Sequence, residues 1–127
     1  MQTRTYQLRW TTVGTANAVA SLRIVKKGII TGLLFNLTSV AGAAINACNL
    51  VELSKQSVSA ITQSDTPAAV ICRASNAGNI NGGSSSMQLF VALATPVDVL
   101  DTLYAHQQGN GTALASVENT ISVFVAE

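Results

Sequence analysis

KKGIITGLLFNLTSVAGAAINACNLVE, residues 26–52, runs from a lysine pair to a glutamate with no charged side chain at any of the 24 positions from Gly28 to Val51. A membrane-spanning helix needs about 20 predominantly apolar residues. This tract reaches that length only by including Asn36, Thr38, Ser39, Asn46 and Asn49. Gly28, Gly32 and Gly42 each lower helix propensity, and no Trp or Tyr marks either end. With a period of two, Ile29, Thr31, Leu33, Phe35 and Leu37 alternate with Ile30, Gly32, Leu34, Asn36 and Thr38. One large apolar face and one mixed face describe a strand pinned between two layers. The tract reads as pleated backbone and not as a membrane span.

The same alternation recurs on both sides of it. Tyr6, Leu8 and Trp10 share a face in TRTYQLRWTT, and Leu22 and Ile24 form a second run that ends at the lysine pair. Met87, Leu89, Val91 and Leu93 alternate with Gln88, Phe90, Ala92 and Ala94; Leu103 and Tyr104 open a further run; Ile121, Val123 and Val125 close the series. AAINACNLVELSKQ mixes strand and helix formers and is read as a strand with Ile45, Ala47, Val51 and Leu53 inward. TPAAVICRAS fits either a short helix capped by Thr66 or an edge strand around Val70 to Arg73, and residues 75–86 form a long polar loop. Six or more short strands between turns predict an all-β, single-domain antiparallel β-sandwich over residues 1–127, jelly-roll-like, with at most one short helix.

Composition shapes the surface of this sandwich. Hydrophobic residues make up 48% of the 127, but charged residues only 10%, against about 25% in an ordinary globular chain. Ser, Thr, Asn, Gln and Gly must supply the polar exterior, which costs little to desolvate and suits coverage by other protomers. Net charge is +1, and the seven basic residues are spread as Arg4, Arg9, Arg23, Lys26, Lys27, Lys55 and Arg73. A nucleic-acid binder concentrates such residues with interleaved aromatics, so no nucleic-acid partner is expected. No membrane partner is expected either.

Candidate chemistry is sparse. Cys48, Cys72 and His106 fall short of a zinc set, so no metal and no cofactor is expected. Two reduced cysteines fit the chain's opening, Met1 to Tyr6, which shows no apolar signal segment and leads to the expectation of synthesis in a reducing cytoplasm. The glycosylation patterns at Asn36 and Asn110 are then chance matches. Gly83-Ser84-Ser85-Ser86 lacks the glycine of a nucleophile elbow, and Gly109-Asn110-Gly111-Thr112-Ala113-Leu114 lacks the third glycine of a dinucleotide loop. His106 with Asp98 or Asp101 and a serine is the one triad the composition permits, and the two aspartates read more simply as solvated loop acids. No catalytic residue is assigned and no enzymatic activity is expected.

The C-terminal third, Thr95 to His106 with its Pro96-Val97 strand start, then Gly109 to Thr112 and Thr120 to Glu127, resembles the closing hairpin of the capsid decoration, or cement, proteins of tailed bacteriophages. Lys27 to Gly32 and Glu52-Leu53-Ser54 extend the resemblance. It implies a non-enzymatic virion protein made in the host cytoplasm and bound to the outside of a phage head. The major capsid protein would be its partner, and it would associate as a homotrimer. The expected contact residues are Arg4, Tyr6, Leu8 and Trp10, on a terminal strand whose aromatics are read as exposed although such a stripe also fits core or subunit contact, and Asn79 and Asn81 of the long polar loop. A self-assembling coat subunit and a glycan-binding fibre module, with Trp10 and Tyr104 as stacking platforms, are the alternatives.

Overall fold

The computed structural model describes residues 2–12, 18–39, 48–56, 70–75, 86–109 and 117–127. They form eight strands: β1 (Thr3–Thr12), β2 (Ala18–Arg23), β3 (Gly28–Ser39), β4 (Cys48–Ser54), β5 (Val70–Ser75), β6 (Ser86–Val97), β7 (Thr102–Gly109) and β8 (Val117–Ala126). All pairings are antiparallel, in two four-stranded sheets ordered β1-β8-β3-β6 and β2-β7-β4-β5. Only β4 and β5 are neighbours in both sequence and sheet; every other connection passes from one sheet to the other. This interleaving makes the sandwich jelly-roll-like. Among the described residues there is no helix, so none is long and apolar enough to cross a membrane.

The uncharged tract supplies β3, which lies inside the first sheet with β8 on one side and β6 on the other. Its Ile30, Leu33, Phe35 and Leu37 are fully buried and meet Tyr6, Leu8, Ile121, Val123 and Val125 from their own sheet. Val51, Leu53, Ala74, Leu103 and Ala105 face them from the second sheet. A bulge between Ile30 and Gly32 breaks simple alternation. The extra residue moves Ile30 to the core side and leaves Ile29 exposed. This corrects the expectation that Ile29 shares the inward face of Leu33 and Phe35. Ile24 is likewise buried but lies one residue past the end of β2. The ambiguous segments resolve as strands β4 and β5, with Val51 and Leu53 inward as expected; Ile45, Ala47 and the Thr66 cap lie outside the described residues.

Polar bonds tie the layers at both ends. The Trp10 indole of β1 donates to Gln107 Oε1 of β7 at 2.8 Å, joining the two sheets. At the other end Lys55, just after β4, donates to the Pro96 carbonyl of β6 at 2.7 Å and pairs with Asp101 at 3.5 Å. Gly28 begins β3 against the backbone of β8: a Cβ there would stand 2.5 Å from the Ala126 carbonyl oxygen and 2.7 Å from Val125 Cγ1. Backbone cannot yield as a flexible side chain does. Gly28→Ala is therefore expected to destabilise the fold by about 2 kcal/mol and to lower the melting temperature by roughly 6 °C. Thermal denaturation followed by circular dichroism measures this.

Candidate functional site

Three places in the structure carry more than packing. The first is a charged row on the outer face of the second sheet. Antiparallel pairing sets Glu52 of β4 directly between Arg73 of β5 and His106 of β7. Glu52 is 0% exposed. Arg73 Nε donates to Glu52 Oε2 at 2.7 Å, and His106 Nδ1 lies 3.5 Å from Glu52 Oε1. Tyr104 stacks beside His106 with ring centroids 6.3 Å apart. The Arg73 guanidinium is the cation that compensates burial of this carboxyl group. Burial holds the His106 imidazole below its usual pKa; the Glu52 carboxylate pulls the other way without cancelling that effect.

The second place is the end of the sandwich made by the β2–β3 and β6–β7 turns. The Ile24 amide donates to the Asp101 carbonyl and the Leu100 amide to the Ile24 carbonyl, both at 2.8 Å, so the two turns form one unit. Asp101 closes the second turn: its amide donates to the Asp98 carbonyl and its carboxylate accepts from the Asp98 amide. Leu100 stands at the third position of this turn with φ of 71°, a conformation that favours glycine. Its side chain is 60% exposed, beside Val99 and Val25, which are more than half exposed. All three lysines of the chain and Arg23 gather around this unit, with Asp98 near Lys27 at 3.8 Å and Asp101 near Lys55. The fold thus adds Lys55 to Arg23, Lys26 and Lys27, which are already close in sequence.

The third place is the outer face of the first sheet. Phe90 of β6 lies across Gly32 of β3, 6.3 Å from Phe124 of β8, and a Cβ on Gly32 would stand 2.8 Å from the Phe90 ring. Ile29 and Leu34 extend this apolar strip. Toward the far end of β1 and β8 an open cleft of about 380 Å³ is lined by Arg9, Trp10, Thr11, Glu118, Asn119 and Thr120.

The expected contact residues do not form one surface. Tyr6 and Leu8 are 9% and 2% exposed and belong to the core. The alternation of Tyr6 and Leu8 marks the side facing the second sheet, not an exposed aromatic face. Removing residues 1–10 would take away core, not a detachable arm. Arg4 is part-exposed and bonded to Glu127 at 3.3 Å, and Trp10 is half-buried against Gln107. Asn79 and Asn81 lie outside the described residues. His106 faces Glu52, while Asp98 and Asp101 belong to the turn unit, so the permitted triad is not assembled from them. Among the described residues no group of three or more His, Cys, Asp or Glu side chains could hold a metal. Cys72 is a free, half-buried thiol whose pKa is raised by burial. Sequence reading missed Glu52; its signal is a lone acid between Val51 and Leu53, two core positions.

No family model and no curated relative matches the chain. Similar solved structures include PliG, a periplasmic inhibitor of g-type lysozyme from Aeromonas hydrophila, at 15% identity over 96% of this chain and 86% of that one, with a TM-score of 0.40. The C-terminal CBM6 of LamC, a marine laminarinase from Zobellia galactanivorans, is 8% identical over 97% of this chain and 100% of that one, at 0.45. A chain of the Helicobacter pylori bacteriophage KHP30 capsid is 9% identical over 92% of this chain and 91% of that one, at 0.39. Likeness this low assigns no role.

The charged row predicts a pH response. Above the ordinary histidine pKa of about 6.5 both folded and unfolded states hold neutral imidazole. As pH falls below that value the unfolded chain takes up a proton first, because the folded pKa is lowered, so stability is lost until the folded pKa is reached. His106→Gln is expected to flatten the fall in melting temperature between pH 7 and pH 5. Parallel melts of the two proteins across that range measure it.

Proposed function

We propose that this chain is a non-enzymatic structural virion protein that decorates the outer surface of a phage head, with the major capsid protein as its partner. The observation that carries the reading is the turn unit. An exposed leucine in a left-handed conformation costs about 1–2 kcal/mol, and a solitary domain gains nothing from placing Leu100, Val99 and Val25 in water. A partner that covers these aliphatic tips gains binding free energy from their burial. Arg23, Lys26, Lys27 and Lys55 around the tips match an acidic rim on the partner. Asp98 and Asp101 stand among those cations and blunt them toward nucleic acid. Repetition over an icosahedral shell multiplies a modest contact, and the low surface charge of the rest of the chain suits a protein closely surrounded by others.

A second reading rests on the cleft at Trp10. Arg9, Glu118 and Asn119 offer hydrogen-bonding groups beside an indole, the composition of a sugar site. Screening the protein on a glycan array addresses it.

Leu100→Gly separates function from stability. Glycine accepts the positive φ, so the melting temperature is expected to stay level or rise by about 2–4 °C. Occupancy on bare tailed-phage heads, measured by co-sedimentation, is expected to fall at least about tenfold from the lost apolar contact. Undiminished occupancy of this variant, or failure of the parent protein to bind heads, would contradict the reading.

A further inference from the structure

Ion pairing accounts for the acids of this chain with one exception. Glu127 pairs with Arg4, Glu52 with Arg73, Asp98 with Lys27 and Asp101 with Lys55. Among the described residues Glu118 is the one acid with no cation in pairing distance, and Arg9 on the adjacent strand has no acid beside it. The β1–β8 register sets Arg9 opposite Thr120 and Thr11 opposite Glu118. The two charges are therefore diagonal neighbours on the outer face of one strand pair, about 7–8 Å apart along the backbone. Both side chains are exposed, and both line the open cleft at that end of the sheet.

The same cleft takes in Trp10, the single tryptophan of the chain. Its indole N–H donates to Gln107 Oε1 at 2.8 Å, and its carbonyl accepts from Asn119 Nδ2 at 3.4 Å. The ring is thus held in place before any ligand arrives, which lowers the entropy lost on binding. The turn unit is at the other end of the molecule: Ala126 lies opposite both Thr3 and Ile29, and Gly28 lies opposite Val97, whereas the cleft stands where β1 ends and β8 begins. A ligand in the cleft leaves Leu100 and its neighbours uncovered.

We propose that the cleft binds a neutral saccharide, with Arg9 donating to one hydroxyl, Glu118 accepting from a neighbouring one, and the fixed Trp10 ring supplying apolar contact; this deepens the second reading above and rests on it. The pair of opposite charges selects the ligand class. A hydroxyl both donates and accepts, so adjacent hydroxyls satisfy a guanidinium and a carboxylate together. A phosphate or carboxylate ligand gains from Arg9 but is repelled by Glu118, and an ammonium ligand meets the reverse. Sugar carbons pack on an indole face while their hydroxyls reach the polar lining of Thr11, Asn119 and Thr120.

Because Trp10 is the only tryptophan, its fluorescence reads the site directly. Glucose, galactose, mannose and N-acetylglucosamine are titrated separately, with sodium phosphate and glycine as charged probes. At least one sugar is expected to shift the emission saturably, with a dissociation constant of about 1 mM, and phosphate and glycine are expected to leave it unchanged. Arg9→Met and Glu118→Met should each keep the melting temperature and weaken that sugar at least about tenfold, whereas Leu100→Gly should bind it as the parent does. Silence toward all four sugars would overturn the proposal and the second reading together. A sugar response that survives both methionine substitutions would keep the second reading and overturn this assignment, as would saturable binding of phosphate or glycine in place of sugar.

Discussion

The structure depends on burying a strand that has no charge with which to face water. β3 meets this requirement by hydrogen bonding on both edges, to β8 and β6, and by driving Ile30, Leu33, Phe35 and Leu37 into the space between two sheets. Everything else is arranged around it. The strands beside it supply Ile121, Val123, Val125 and Met87, and the second sheet closes the core with Val51, Leu53, Leu103 and Ala105. The bulge after Ile30 lets the strand keep one face in the core where strict alternation would have turned it outward. The uncharged tract also leaves a residue of apolar surface, Ile29 and Leu34, on the far side of its own sheet.

Charge is scarce in this chain and is used locally. One carboxyl group, Glu52, is buried on the second sheet, where Arg73 pairs with it and His106 lies beside it. The three lysines and Arg23 are placed at one end around the turn unit, and Arg4 ties to Glu127 beside the last strand. What remains is a broad surface of Ser, Thr, Asn, Gln and small apolar groups. Such a surface is cheap to desolvate, and covering the aliphatic tips at the turns would be favourable.

The fold was legible because strand alternation is a local signal. Tyr6 and Leu8, Met87 to Leu93, and Ile121 to Val125 all lie on the faces that their spacing indicates. The bulge was not legible, since one inserted residue leaves composition unchanged and is fixed only by the register with β6 and β8. Sites were harder still. The Glu52 row joins residues 21 and 54 positions apart, and only the sheet order makes them neighbours. The turn unit joins Ile24 to Leu100 and Asp101 in the same way. Reading the aromatic row at Tyr6 as a contact surface failed because spacing shows that residues share a face but not which face is covered.

Hydrogen exchange resolved by peptide mass spectrometry tests the central placement of the uncharged tract most directly. If β3 is the inner strand of a sandwich, amides from Ile30 to Leu37 exchange only through global unfolding and are the slowest in the chain. Exchange of that peptide as fast as or faster than peptides from the edge strands β2 and β5 would contradict the account.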